Sequence, residues 1–148
     1  MLSLEDVIEM WKQDSEIDEM SLDDASRQSA SLHSKYLELL SMSKLKKKKL
    51  EMDYQVLLKD KWLWYNGKMS KTDMDARGWD YDAMKGLKVL KSDMDRFYNS
   101  DPDIQNHLAK IEYYKTLIET LEDIMGNIRW RHQNIKNIIE WRKFTSGV

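Results

Sequence analysis

The 148-residue chain has no cysteine, one proline and five glycines. The absence of cysteine excludes disulfides, thiolate metal sites and a cysteine nucleophile. The scarcity of helix breakers, together with a charged fraction of 34%, favours long helices over a sheet. No apolar run approaches the length that spans a membrane, and the acidic N-terminus is unlike a signal peptide. We therefore expect a soluble, cytoplasmic, all-α protein with enough chain for one real core.

Sequence signatures of catalysis are missing as well. Gly67-Lys68 is not preceded by the glycine spacing of a phosphate-binding loop, and no Gly-x-Ser-x-Gly or Glu-x-x-His motif occurs. A stretch that begins at Asp73 partly resembles a calcium loop, but Arg77 and Met84 stand where it needs oxygen ligands. We expect no catalytic residue, no metal site and no cofactor.

Charge is distributed in blocks along the chain. Residues 1–28 carry a net charge of −7 and residues 29–71 one of +6, whereas residues 72–103 carry −3 and residues 104–148 carry +2. The overall net charge of −2 hides this pattern. A basic band can bind a polyanion, and an acidic end can meet a basic partner.

The first half of the chain predicts two helices. Ser3 and Asp6 resemble a capping box, so a short amphipathic helix begins at residue 4 and ends near Asp14. A long helix follows from about Leu22 to about Tyr65, which is roughly 44 residues or about 65 Å. Such a helix requires a hairpin partner, a break near residues 29–34, or neighbouring subunits.

The second half is divided by turn residues. Gly67 ends the long helix in a left-handed conformation, and residues 68–81 are expected to form a polar loop. Residues 82–98 predict a middle helix. Asp101 and Pro102 then begin a helix that continues to the C-terminus. By function, we expect two regions: an N-terminal helical region, 1–100, whose long basic helix at about 22–66 would bind a polyanion, and a C-terminal helix, 101–148, that would pack and oligomerise.

The long helix presents an apolar stripe beside a cationic flank. At 100° per residue the stripe comprises Leu32, Tyr36, Leu39, Leu50, Tyr54, Leu57, Trp64 and Tyr65. The flank comprises Lys44, Lys48, Gln55, Lys59 and Trp62. Lysines neutralise phosphates and an exposed ring stacks on an unpaired base, so this flank indicates single-stranded nucleic acid. The alternative is a solvated lysine face with no ligand.

Lys61 is unusual because it lies at the centre of the apolar stripe. A lysine at such a position must extend to solvent, pair with an acid, or meet an anionic ligand. From the residues alone, all three alternatives stay open.

The C-terminal helix carries a wide apolar stripe that suits a bundle or a subunit interface. It includes Ile104, Ile111, Ile118, Met125, His132 and Ile139 at one heptad position, and Tyr114, Leu121, Ile128 and Ile135 at another. His132 is expected to be packed and hydrogen-bonded. Trp130 and Trp141 lie off the stripe, and exposed tryptophans are typical of a contact surface. The predicted oligomer interface is Ile128, Ile135, Ile139, Trp130 and Trp141, with a second stacking surface as the alternative for the tryptophans.

One segment resembles a known family. It contains Ser34-Lys35-Tyr36-Leu37, then a basic helix ending in Leu58-Lys59-Asp60-Lys61, then an aromatic cluster before Asn66-Gly67. It is similar to the UvsY family of recombination mediators of tailed phages. In that family a Leu-Lys-x-(Arg/Lys) step before the aromatics is associated with binding single-stranded DNA, and this step maps onto Lys59 and Lys61. The dense run at residues 46–49 and the richness in tryptophan depart from the family pattern, so the limits of the site stay open.

The resemblance implies a function and partners. It implies an elongated helical bundle or hairpin that assembles into a ring-shaped homo-oligomer inside the infected bacterial host cell. The implied function is to bind single-stranded DNA and to help load a UvsX-type recombinase onto DNA covered by a single-strand-binding protein. The alternative is a non-enzymatic helical scaffold or adaptor oligomer with no nucleic-acid role.

Overall fold

The computed structural model describes residues 2–147, which form helices and no strand. The elements are α1 (Leu4–Asp14), α2 (Leu22–Tyr65), α3 (Lys71–Arg77), a 3₁₀ turn (Lys91–Asp93), α4 (Met94–Ser100) and α5 (Pro102–Thr145). The predicted all-α class is confirmed. None of the helices in this described part combines the length and apolar character needed to cross a bilayer.

Local capping signals place the helix ends. The Ser3 hydroxyl accepts the Asp6 N–H at 3.1 Å while the Asp6 carboxylate accepts the Ser3 N–H at 3.1 Å, which is the predicted capping box. Helix α2 is continuous through residues 29–34, so a break there, one of the three alternatives for so long a helix, does not occur. Gly67 follows α2 with a φ of 68°, as the left-handed end requires.

The segment between the long helices differs from the prediction. Within the expected loop 68–81, Ser70 caps the short helix α3, and Gly78 ends it at a φ of 73°. The expected helix over 82–98 is also wrong. Lys85 and Gly86 both have positive φ, of 51° and 85°, and this pair interrupts helical geometry. Regular structure resumes only at the 3₁₀ turn and α4.

Residue contacts divide the chain into two compact units. The first unit takes in Met1–Leu45 together with Tyr114–Val148, and the second takes in Lys46–Tyr113. These units follow packing, whereas the predicted division at residues 100 and 101 followed function, so that division stays a prediction.

The first unit has a core built from α1 and from parts of α2 and α5. Its buried members are Val7, Tyr36, Leu40, Leu117, Ile118, Leu121, Ile124, Met125 and Ile128. The Trp11 ring meets the Tyr36 ring edge-on at 5.4 Å, which fixes α1 on α2. Burying each large aliphatic side chain contributes roughly 1.5–3 kcal/mol.

Arg131 joins α5 to the end of α1. It is buried, and its guanidinium donates to the backbone carbonyls of Asp14, Ser15 and Glu16 at 3.1–3.2 Å. These carbonyls lack partners within α1, and a cation at a helix C-terminus also meets the negative end of its dipole. His132 is exposed, so the prediction of a packed histidine is wrong. The longer arginine occupies the interior because it can reach those carbonyls.

The second unit brings the end of α2 to the beginning of α5. In this unit the two helices run antiparallel, because Lys61 meets Asp101 while Leu50 meets His107. The His107 Nε2 lies 2.7 Å from the Leu50 carbonyl oxygen, and its ring stacks on Tyr54 at 5.9 Å. This arrangement positions the segment of α2 that carries most of the predicted DNA contacts.

Candidate nucleic-acid interface

An exposed stripe follows α2 through the second unit. It consists of Lys48, Met52, Gln55, Lys59 and Trp62. The spacing of alternating four and three residues keeps them on one helix face over roughly 20 Å. The Lys59 side chain is 67% exposed and Trp62 is 41% exposed. The stripe therefore presents cations and an aromatic ring together, as predicted from the sequence.

The contacts of this stripe leave its cations available. Lys59 lies 3.6 Å from Asp60, and Lys48 lies 4.0 Å from Glu51. Exposed pairs of this kind contribute little and exchange readily with other partners. The Lys68 ammonium lies 4.9 Å from the Trp62 ring centroid, so it adds another cation beside the ring. Sequence reasoning did not include Lys68, because it follows the helix end.

The dense lysine run is partly neutralised within the helix itself. Lys47 pairs with Glu51 at 3.4 Å, and Lys49 pairs with Asp53 at 2.8 Å. The hydrogen bond from Lys49, together with its positive charge, holds the pKa of Asp53 below its usual value despite the opposing effect of desolvation. Lys47 and Lys49 thus have acidic partners one turn away. Lys48 is the more exposed cation of this run.

Lys44 belongs to the first unit. Its ammonium lies 3.6 Å from Glu122 on α5, and its side chain is about half exposed. This pair is weak enough to yield to a phosphate. Lys44 therefore keeps its place in the predicted contact set as a residue of the first unit.

Lys61 lies in the interior of the second unit. The residue is only 2% exposed, and its ammonium lies 3.0 Å from Asp101 and 2.8 Å from Asp103. It also lies 4.3 Å from the Trp64 ring centroid and 3.9 Å from that of Trp79. Of the three alternatives for a lysine on the apolar stripe, the structure therefore shows pairing with acids.

Asp101 has two roles in this cluster. One carboxylate oxygen accepts the N–H groups of Asp103 and Ile104 at the start of α5, and the other accepts the Tyr65 hydroxyl at 2.6 Å. Burial alone would raise the pKa of Asp101. The hydrogen bonds from Tyr65, Ile104 and Lys61 outweigh that effect and leave the pKa below its usual value. Burial, and then the bond to Asp101, raise the pKa of Tyr65.

The cluster corrects the predicted role of Lys61. A buried ammonium between two carboxylates and two indole rings has no surface to offer a phosphate, so Lys61 positions the end of α2 against α5 instead. Sequence reasoning anticipated an acidic partner but not its identity. It missed Trp79, whose ring centroid lies 3.9 Å from the Lys61 ammonium and 5.4 Å from the Arg77 guanidinium. That guanidinium lies 2.7 Å from Asp60.

The predicted oligomer residues fall into two groups. Ile128 and Ile135 are buried within this chain, so they pack internally. Trp130 and Trp141 are 68% and 65% exposed, and Ile139 is exposed as well. Phe144, which was not predicted, stacks on Trp141 at 5.7 Å and is also exposed. The exposed apolar residues of this part of α5 are therefore Trp130, Ile139, Trp141 and Phe144.

Comparison with known proteins shows which family this chain belongs to. A sequence model described as "Recombination, repair and ssDNA binding protein UvsY" matches residues 10–148. The chain belongs to the UvsY family. The "Recombination protein uvsY" of Enterobacteria phage T4 is 27% identical over 146 residues, which cover 99% of each chain. The resemblance seen in the sequence is thereby confirmed.

Solved structures agree with this membership. The UvsY recombination mediator of bacteriophage T4 in its second crystal lattice type matches with a TM-score of 0.83 at 25% identity, covering 99% of both chains. Its first lattice type matches with a TM-score of 0.81 at 25% identity, covering 95% of this chain and 98% of the other. The helix layout described above is thus a UvsY layout. Among residues 2–147, no group of three potential metal-binding side chains occurs.

Proposed function

We propose that this UvsY-family protein is a recombination mediator that acts by binding, without catalysis. Its DNA contacts would be Lys48, Lys59 and Trp62 in the second unit and Lys44 in the first. The observation that carries the proposal is the exposed stripe of α2, in which cations and an aromatic ring share one helix face. Lys61 would support this stripe from inside the fold.

The chemistry of single-stranded DNA matches such a surface. Lysines neutralise backbone phosphates and release counterions, which gives affinity without sequence preference. Trp62 provides a ring on which a base of any identity can stack, and Lys68 adds a cation at that ring. Together these contacts hold a strand along α2 by its backbone and by occasional bases.

The partners follow from the family. The mediator would loosen a single-strand-binding protein from DNA and help a UvsX-type recombinase to load in its place, inside the infected bacterial cell. Assembly of copies through Trp130, Ile139, Trp141 and Phe144 into a ring would repeat the α2 stripe in every subunit. Repetition raises the effective concentration of weak sites, so a ring would bind a long strand more tightly than one subunit does.

Fluorescence anisotropy of a labelled single-stranded oligonucleotide over a range of salt concentrations tests the DNA contacts. The Lys48→Ala/Lys59→Ala variant should bind more weakly, and its slope of log affinity against log salt should shrink by about 1.4, since each lost phosphate contact removes about 0.7. A variant with Lys12→Ala and Lys115→Ala removes the same charge from α1 and the first-unit part of α5, and should keep the wild-type slope.

The alternative function is a helical scaffold with a solvated lysine face. The pairing of Lys47 and Lys49 with acids one turn away favours it, because these lysines are already partly neutralised. On this alternative the wild type shows no salt-dependent binding, and the Lys48→Ala/Lys59→Ala variant behaves like the wild type. That result would overturn the mediator proposal.

A further inference from the structure

A cavity opens in the second unit beyond the end of α2. Its volume is about 340 Å³, at the lower end of the range of roughly 300–1,000 Å³ in which proteins hold small organic ligands. Its lining includes Trp64 and Tyr65 together with residues 81–84 and 86–89. Most of these later residues belong to the segment for which a helix was wrongly predicted. The irregular backbone of that segment forms part of the cavity lining.

Each aromatic side chain of the cavity is anchored by its polar atom. The Trp64 indole N–H donates to a backbone carbonyl at 2.6 Å. The hydroxyls of Tyr65 and Tyr81 donate to aspartate carboxylates at 2.6 and 2.5 Å. The hydrogen bonds fix the rings before any ligand arrives, and such preorganisation lowers the entropic cost of binding. An aromatic cavity of this kind suits a flat ring.

Lysines lie at the cavity and near its Tyr81 ring. Lys88 lines the cavity, and Lys71 lies 5.6 Å from the Tyr81 ring centroid. Lys85 adopts a φ of 51°, a conformation that costs energy in a residue with a side chain and that is concentrated at ligand-binding sites. The carboxylate of Asp82, which also lines the cavity, accepts the N–H of Gly86 at 3.2 Å. The cationic Lys88 and the acidic Asp82 therefore both belong to the lining that contains the aromatic rings.

We propose that this cavity receives one unstacked base of a bound single strand, with Tyr81 stacking on the base and Lys85 and Lys88 at the flanking phosphates. The inference rests on the proposed function, because it takes the ligand to be single-stranded DNA. It adds a base-binding subsite to the backbone contacts of the α2 stripe, and Lys61 supports the subsite by fixing Trp64 from beneath. A ring-stacking pocket accepts every base, which suits a protein without sequence preference.

Paired oligonucleotides test the subsite. A thymidine homopolymer and a fully abasic strand of the same length share their phosphates and differ only in the bases. Tyr81→Ala should weaken binding of the homopolymer about fivefold or more, the change that corresponds to the lower end of base–aromatic stacking, and should leave the abasic strand unaffected. Tyr81→Phe retains the ring but loses the hydroxyl that anchors it to Asp75, so its affinity for the homopolymer should lie between those of the wild type and Tyr81→Ala. Tyr113→Ala, at another exposed tyrosine of the same unit, is the matched control.

Salt dependence separates the ring from the cations. Lys88→Ala should reduce the slope of log affinity against log salt by about 0.7 on both strands, since it loses a phosphate contact. Tyr81→Ala should leave that slope unchanged. Photo-crosslinking tests the wild-type protein directly and needs no substitution. A strand that contains 5-iododeoxyuridine should label Tyr81 or Trp64.

The outcomes distinguish the two proposals. If the wild type binds and responds to Lys59→Ala, but Tyr81→Ala binds the homopolymer normally and no crosslink maps to the cavity, the subsite is refuted and DNA binding by α2 stands. If the wild type binds neither strand, both proposals fail. Equal urea midpoints for Tyr81→Ala and the wild type show that the variant is folded when it is compared.

Discussion

Lys61 and Asp101 form an ion pair of 3.0 Å in which both side chains are almost completely buried. Two charges removed from water depend on each other, because either one alone would face the full cost of desolvation. Asp103, at 2.8 Å from the same ammonium, is half exposed and completes the site toward solvent. The last turns of α2 and the first turn of α5 are joined at this point.

Loss of the buried cation should destabilise the protein strongly. Lys61→Met leaves Asp101 charged and buried without its partner, so we expect the free energy of unfolding to fall by about 3 kcal/mol, the lower end for a broken buried pair because Asp103 can return to water. Urea denaturation followed by circular dichroism measures it. Lys59 is the control, because it lies two residues earlier on the same helix and is exposed. Lys59→Met should change the free energy of unfolding by less than about 0.5 kcal/mol. A loss below about 1 kcal/mol at Lys61 would contradict the assigned role.

The same two lysines should differ in their effect on DNA binding. Lys59→Ala should reduce the salt slope by about 0.7, because it removes a phosphate contact. Lys61→Arg keeps a charge in the buried site and is the variant to compare if Lys61→Met is too unstable to titrate. Neither Lys61 variant should change the slope, whatever happens to the affinity. Anisotropy titrations at several salt concentrations measure both quantities, and a slope lowered by Lys61→Met would show that Lys61 contacts phosphate after all.

The depressed pKa of Asp101 gives stability a pH dependence of known sign. Its pKa in the folded protein lies below the ordinary value of 3.8, so folding favours the ionised form. The stabilisation is therefore present above about pH 4 and is lost as pH falls through the native pKa. We expect the free energy of unfolding of the wild type to decline more steeply below pH 4 than that of Asp101→Asn. Parallel curves in urea titrations between pH 6 and pH 3 would exclude this contribution.

Arg131 and its neighbour form a matched pair for mutation. Arg131→Ala removes the donors to three carbonyls at the end of α1, and we expect a loss of about 3 kcal/mol, since hydrogen bonds that involve a charged group contribute roughly 1.5–3 kcal/mol and are not additive. His132→Ala changes an exposed residue and should cost less than about 0.5 kcal/mol. Hydrogen exchange should show faster exchange in α1 for the arginine variant alone. If hydrogen exchange in α1 is the same in Arg131→Ala as in the wild type, Arg131 does not anchor α1.

The exposed aromatics of α5 give a prediction on assembly. Trp141→Ala with Phe144→Ala removes the stacked pair from the proposed contact, and sedimentation velocity should then show a smaller species than the wild type at equal concentration. Stability in urea at a concentration where both are dissociated should change little, because neither ring lies in the core. An unchanged sedimentation coefficient would place the subunit contact elsewhere.

Much of the fold could be predicted because its signals are local. Local signals indicated the start of α1 at its capping box, the end of α2 at the left-handed Gly67, and the start of α5 at Asp101. The expected helix over 82–98 failed since Leu87 and Leu90 supply helical spacing without a surface to bury it, and both are exposed. Periodicity shows which residues can share a face, but it does not show whether that face is covered.

The candidate site was harder to predict, because its parts are distant in sequence. Lys59 and Trp62 were predicted from their shared helix face, and Lys59 also from the family resemblance. The partners of Lys61 lie forty or more residues later, and Asp101 was foreseen only as a helix cap. The sequence showed that Lys61 could require an acidic partner. The identity of that partner depends on how the second unit folds.

The discontinuity of the first unit has a consequence for folding during synthesis. The bonds from Arg131 to the end of α1 span up to 117 residues, and the second unit is contained within that interval. Ribosomes add roughly 5–20 residues per second. Several seconds therefore pass between the synthesis of Val7, Tyr36 and Leu40 and the synthesis of the α5 residues that pack against them. The inserted unit is complete first, and the N-terminal apolar faces stay uncovered until about the last quarter of the chain has emerged. A nascent chain arrested before residue 114 should therefore be the form most dependent on chaperones.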